Sequence, residues 1–358
     1  MNESIASAEY IWLDGAQPTR GLRSKTRFLP LPAEGLPALD ALPVWSFDGS
    51  STAQAPGDAS DLLLQPVRVV ADPLRGGRSI LVLCEVTREN GAAHESNTRA
   101  SLRSVLDAGG SSAEPMVGFE QEYTLYRDGR PLGWPAEGFP APQGPYYCGV
   151  GAQNVFGRTI VEAHEEACLR AGLMIYGTNA EVMAGQWEFQ IGYRGVEGES
   201  ADPLTVADHL WIARWLLQRI AERDGVEISF ANKPVQGDWN GAGNHTNFST
   251  RATRDPAQGL DAMHAAIARL EQGHAHHVAQ YGHGLHERLT GLHETCSIDE
   301  FKHGVADRGA SIRIPRQVRE QGYGYFEDRR PGANCDPYLV CTALLETVCG
   351  IERRRRAA

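Results

Sequence analysis

Two glutamates stand two positions apart within residues 118–126, GFEQEYTLY. Written as a strand, Glu120, Glu122, Thr124 and Tyr126 share one face while Phe119, Gln121, Tyr123 and Leu125 share the other, so the carboxylates lie roughly 7 Å apart. Taken alone, that pattern describes a solvated outer face. It recurs, however. Residues 179–191 carry Glu181 and Glu188, the latter between Trp187 and Phe189 in a period-two strand. Residues 243–249 put His245, Asn247 and Ser249 on one face, and residues 324–330 do the same for Glu327 and Arg329. Four strands thus present Glu or His beside aromatic residues. Five carboxylates and one imidazole converging on a pocket repel one another unless cations neutralise them, and Mg²⁺ or Mn²⁺ are the hard ions that oxygen ligands suit. Zinc fits poorly, because no Cys pair or HExxH spacing accompanies the carboxylates.

Arginine supplies the complementary charge. Arg288, Arg308, Arg313, Arg316, Arg329 and Arg330 fall in one C-terminal stretch, and residues 311–316 alternate like a strand. Singly, each reads as a surface ion pair. As a set opposite metal-binding carboxylates, their forks match phosphate and carboxylate oxygens, the parts that phosphoryl transfer from a nucleotide needs. No GxxxxGK[ST] is present, and the GxG starts at Gly149 and Gly322 lack a third glycine, so neither a P-loop nor a dinucleotide fold is supported. His274, His276, His277, His283 and His286 spread around several faces of a helix and read as solvated or core histidines.

The elements that must position these groups follow from length and periodicity. At 358 residues the chain suggests about two domains with ample core. A balance of 34 basic against 45 acidic residues, net −11, argues against coating nucleic acid or anionic lipid. The basic run Arg353 to Arg356 reads as a solvated tail. Residues 1–9 are polar and no apolar run approaches the ~20 residues that span a bilayer, so neither a signal peptide nor a membrane segment is expected. The seven cysteines are odd in number with no CxxC pair, which fits reduced thiols in the cytoplasm. Short strands at residues 10–13, 67–70 and 80–86, broken by Pro/Gly/Ser-rich connections, predict a β-rich first domain over residues 1–104. Residues 105–358 alternate helix and strand, with helices at 156–171, 203–224 and 259–281.

In order along the chain, YIWLDG (10–15), FDGSST (47–52), the two-glutamate strand, GPYYCGVG (144–151), residues 179–191, NGAG (240–243), 245–249, RLTGLHE (288–294), DRGAS (307–311) and 325–330 resemble the type II, eukaryotic-like glutamine synthetases over residues 10–347. The resemblance implies an α+β fold: a small β-grasp domain, and a catalytic domain with a curved antiparallel sheet and helices. It implies ATP-dependent condensation of glutamate with ammonia through γ-glutamyl phosphate, with two or three Mg²⁺ or Mn²⁺ ions per site. It further implies a cytoplasmic homo-oligomer of stacked five-membered rings, a decamer, with active sites between neighbours.

By the same resemblance, Glu122, Glu181 and Glu188 hold one metal, and Glu120, His245 and Glu327 another. Arg288 and Arg329 clamp glutamate, Asn240 and Gly241 line its site, and Arg308 and Arg313 face the transferring phosphate. Ser249 and Tyr325 contact the nucleotide. Asp48 reaches ammonium from the neighbouring subunit, and Glu294 is a mobile flap carboxylate. Three positions depart from common family usage: Met116 for an aromatic, Ala184 for proline, and Asn244 for a small residue or cysteine. A γ-glutamyl ligase for an organic amine and a non-catalytic scaffold are the rival readings. Retention of Asp48 and Glu294 favours ammonia over the first, and retention of the ligands and arginines argues against the second.

Overall fold

The computed structural model describes residues 4–32 and 34–351; the Arg353 to Arg356 run lies outside the described residues. Among the described residues the strands form two sheets. The first contains β1 (Ser4–Leu13), β2 (Leu22–Leu31), β3 (Trp45–Asp48), β4 (Asp61–Ala71) and β5 (Ile80–Thr87), in the order β2-β1-β5-β4-β3. β1 and β5 are parallel and the other neighbours antiparallel. Side-chain alternation gives this sheet two buried faces. Tyr10 and Trp12 enter a small core with Phe47 and Leu64, whereas Ile11, Leu81 and Leu83 join the main core. Periodicity alone did not announce β2: its centre, Arg23 to Arg27, is polar because it is an edge strand with one wet side.

α1 (Thr98–Asp107) leads into the second sheet, built from β6 (Met116–Arg127), β7 (Arg130–Pro131), β8 (Ile175–Ala180), β9 (Gln186–Ile191), β10 (Glu227–Ser229), β11 (Asn244–Ser249), β12 (His303–Val305), β13 (Ile312–Ile314) and β14 (Phe326–Asp328). Its path is β12-β13-β14-β11-β6-β9-β8, with β7 and β10 added on β6. The other helices are α2 (Arg158–Arg170), α3 (Pro203–Arg223), α4 (Gly259–Gln272), α5 (His274–Gln280), α6 (Leu285–Arg288), α7 (Arg316–Gln321) and α8 (Pro337–Cys349). α3 and α8 both begin Asp-Pro. Each Asp side chain accepts first-turn N–H bonds, and proline fills a position that needs no donor. The single helix expected over 259–281 breaks at Gly273. His277 is buried there between Tyr281 and Thr347, so it is a core histidine. No helix among the described residues is long and apolar enough to cross a membrane. The α+β expectation holds.

One polar network ties the first sheet to the helices beneath it. Asp208 on α3, fully buried, accepts from Arg99 Nε at 2.8 Å and Nη2 at 3.0 Å, from Arg68 Nε at 2.8 Å and from the Tyr338 hydroxyl at 2.7 Å. Arg99 also donates to Glu85 of β5 at 2.7 Å. Burial would lift the Asp208 carboxyl, but the Arg99 guanidinium holds it below the usual carboxylate range.

Candidate active site

Strand register assembles the site. Glu122 stands opposite Glu188, Glu120 opposite both Gln190 and His245, Asn247 and Arg313 opposite Glu327, and Asn179 opposite Glu188. Directly opposed side chains start about 5 Å apart. The result is a ladder of charged and amide groups running from β8 to β13 on one face. The other face sends Phe119, Tyr123, Phe189, Phe248 and Phe326 into the main core. Glu181 lies in the turn just past β8.

A cavity of about 320 Å³ opens on the ladder. Glu120, Glu122, Glu181, Glu188 and His245 line it, as do Asn240, Gly241, Arg288, Glu294, Arg308, Arg313 and Arg329. Glu327 is set one step back: Arg313 and Arg329 each donate to one of its oxygens at 2.5 Å, and His245 Nδ1 is 3.6 Å away. Ser249 and Tyr325 line a second cavity of about 330 Å³, together with Met116 and Tyr176. Asp48 lines neither. It is exposed at the end of β3, where Ser50 and Ser51 hydroxyls donate to it at 2.6 Å and draw its pKa down to about 2.

Two arginines of the C-terminal stretch do not join the cluster. Arg316 is exposed at the start of α7. Arg330 follows Arg329 by one residue and therefore takes the opposite face, where it pairs with Asp328 at 2.7 Å and lies over Tyr281. Of the three departures, Met116 is at the second cavity, Ala184 is buried in the turn before β9, and Asn244 is buried with its amide on Cys335 Sγ.

Burial, reinforced by crowding of like charge, governs the electrostatics. Burial, then Glu122, pushes Glu181 up to about 8. Burial and its three carboxylate neighbours raise Glu188 well above its ordinary value, and burial raises Glu122 although Arg288 opposes it. Burial and Arg329 hold His245 well below the usual range, so its imidazole is neutral. Oxygens from Glu122, Glu181 and Glu188 lie within 4.8 Å of one another, as do ligand atoms of Glu120, Glu188 and His245. These oxygen donors with one neutral imidazole fit hard divalent cations, whose charge relieves the repulsion that lifts the carboxyls.

Glycines make room for Arg288. A Cβ on Gly241 would lie 2.6 Å from Arg288 Cγ, and one on Gly243 2.4 Å from its Nη2. Arg288 in turn meets His245 Nε2 at 3.0 Å and three backbone carbonyls of residues 329–331. Gly243→Ala is therefore expected to lower stability by about 1–3 kcal/mol through overpacking, read as a lower melting temperature.

Sequence reasoning missed Tyr147, Gln190, His293 and Thr295, which also line the cavity. Gln190 carried a signal, lying two positions from Glu188 on the same strand face. His293 and Thr295 flank Glu294 in an aperiodic loop. His293 and Glu294 both hold φ above +50°, and His293 Nε2 is 3.0 Å from Asp238 Oδ1.

Residues 4–89 match the family model described as the glutamine synthetase β-grasp domain, and residues 95–266 match the glutamine synthetase catalytic domain. The chain is 56% identical to glutamine synthetase of Streptomyces viridochromogenes over 96% of both chains. It is 53% identical to the chloroplastic glutamine synthetase of Chlamydomonas reinhardtii, covering 96% of this chain and 90% of that one. Identity to the glutamine synthetase of Emericella nidulans is also 53%, over 96% of this chain and 92% of the relative. With two family domains in sequence and bacterial, algal and fungal relatives above half identity, the chain belongs to the eukaryotic-like glutamine synthetase family.

Proposed function

We propose that the chain joins glutamate to ammonia, with ATP converting the γ-carboxylate to γ-glutamyl phosphate. The observation that carries this reading is the continuous ladder of carboxylates and His245 facing arginines across one cavity, in a chain of this family. A free carboxylate is a poor electrophile, and phosphorylation supplies the leaving group that ammonia displaces. Glu122, Glu181 and Glu188 would hold one divalent cation, and Glu120, His245 and Glu327 a second, with Glu188 near both. Bound there, the cations neutralise phosphate and carboxylate oxygens. Arg308 and Arg313 face the transferring phosphoryl group, where positive charge offsets the charge that develops. Asn240 and Gly241 border glutamate, with Arg288 and Arg329 beneath its carboxylates; Ser249 and Tyr325 border the nucleotide.

Ammonium must lose a proton before it attacks. Asp48, kept anionic by its serines, suits attraction of the ammonium cation; its part in the deprotonation and its delivery from a neighbouring subunit follow the family likeness. The stacked-ring decamer follows the family likeness. Seven unbridged cysteines support a cytoplasmic setting. Glu294, in its left-handed loop, serves as the flap that keeps water from the acyl phosphate.

The test is phosphate release from ATP with glutamate, comparing ammonium with a panel of amines. Turnover with ammonium is expected. Turnover with an amine alone would make the chain a γ-glutamyl ligase of another kind, and no glutamate-dependent turnover would sink both readings.

Cation binding should also release a proton. Glu181, at about 8, is largely protonated at pH 7, and a ligating carboxylate must be ionised. Mn²⁺ affinity is therefore expected to rise from pH 6 to 8 and level off above it. Calorimetry in two buffers of different ionisation enthalpy counts the protons, and zero release at pH 7 would contradict this account.

A further inference from the structure

Three primary amides of the ladder each donate to one of its acids. Asn179 Nδ2 donates to Glu181 Oε1 at 2.8 Å, Gln190 Nε2 to Glu188 Oε1 at 2.6 Å, and Asn247 Nδ2 to Glu120 Oε1 at 2.8 Å. An ionised carboxylate, the form that binds a cation, only accepts, so each amide turns its NH₂ toward its acid. Glu122 is served by the backbone N–H of Gly243 at 2.6 Å, and Glu181 has a second, longer bond from Val182 N–H at 3.2 Å. Across strands, Asn179 stands opposite Glu188 and Gln190 opposite Glu120, whereas Glu122 and Glu188 already face each other.

Other side chains in those positions would act differently. A lysine or arginine would orient a carboxylate but compete with a cation for its charge, as Arg313 and Arg329 would at Glu327, the acid set furthest back. A carboxylate would set like charges face to face. A neutral donor fixes direction and leaves the charge intact. Resting on the divalent-cation reading above, we propose that Asn179, Gln190 and Asn247 are positioning residues: they hold Glu181, Glu188 and Glu120 in a fixed orientation for the cations without neutralising them.

The test uses the full chain, free of nucleotide, titrated with Mn²⁺ and followed by the paramagnetic resonance signal of the free ion. Gln190→Met and Asn247→Leu keep approximate shape and remove the donor. Each is expected to weaken Mn²⁺ binding about 10- to 100-fold, the range for lost support behind a metal ligand. The metal-free melting temperature should stay near that of the parent, whereas a purely structural role would move it and leave Mn²⁺ affinity alone. Affinity within twofold of the parent in both folded variants would overturn the proposal. If one variant fails to fold, the other decides. A parent chain that binds no Mn²⁺ would instead overturn the cation reading beneath it.

Discussion

Glu327→Gln is expected to reduce glutamate-dependent phosphate release from ATP by about 10²- to 10³-fold, the scale of losing one preorganised electrostatic contact in a transition state. The carboxylate is 1% exposed and carries one arginine on each oxygen, and both arginines line the cavity. Glutamine keeps the shape and one acceptor, so one guanidinium remains held while the other loses its partner. Arg313, whose side chain is 22% exposed, can turn toward solvent, whereas Arg329 at 5% cannot. Folding should therefore survive with a loss of about 1–3 kcal/mol, and the damage should concentrate in turnover. Steady-state phosphate release beside a thermal melt separates the two effects. Retention of more than half the activity would refute a role for Glu327 at the phosphoryl group.

The largest effect on stability is expected at Asp208, far from the chemistry. Asp208→Ala leaves Arg99 buried with its main partner gone and strands the Tyr338 hydroxyl, while Arg68 keeps only Thr205. Breaking a buried ion pair from one side costs about 3–5 kcal/mol, a large share of the 5–15 kcal/mol by which domains are usually stable. Because Arg68 belongs to the first sheet while Asp208 and Tyr338 belong to α3 and α8, denaturant unfolding should broaden or split as the first sheet loses its tie. The pH dependence has a definite sign. The folded carboxyl titrates below its unfolded value, so its contribution is present above about pH 4 and is lost as pH falls through the lower folded pKa. A single unshifted transition in urea would show that apolar packing alone joins the two layers.

Much of the catalytic sheet could be read from residue order. Period two in residues 118–126 and 186–191 places Glu120, Glu122 and Glu188 on one face whatever the tertiary structure, and the aromatic partners on the other mark the buried side. The same rule parts Arg329 from Arg330, although grouping by stretch alone counts them together. Three features resisted. β2 is polar because one side is wet, so periodicity carries no burial signal there. The break at Gly273 separates α4 from α5, whose His277 bonds Thr347 of α8, a long-range contact that no local pattern announces. The withdrawal of Glu327 behind Arg313 and Arg329 depends on β13 pairing antiparallel with β14, which opposes Arg313 to Glu327, and neither strand alone encodes that register.

The cross-strand ladder also says where the chain can change length. Phase along β6, β9 and β11 acts as a reading frame: one inserted residue between Glu120 and Glu122 would carry one acid into the aromatic core and one phenylalanine into the cavity. Substitution can be graded residue by residue, but insertion in these strands is all or none. Length changes are expected to be tolerated only in segments outside the ladder, such as the exposed residues between β7 and α2 that are away from Tyr147.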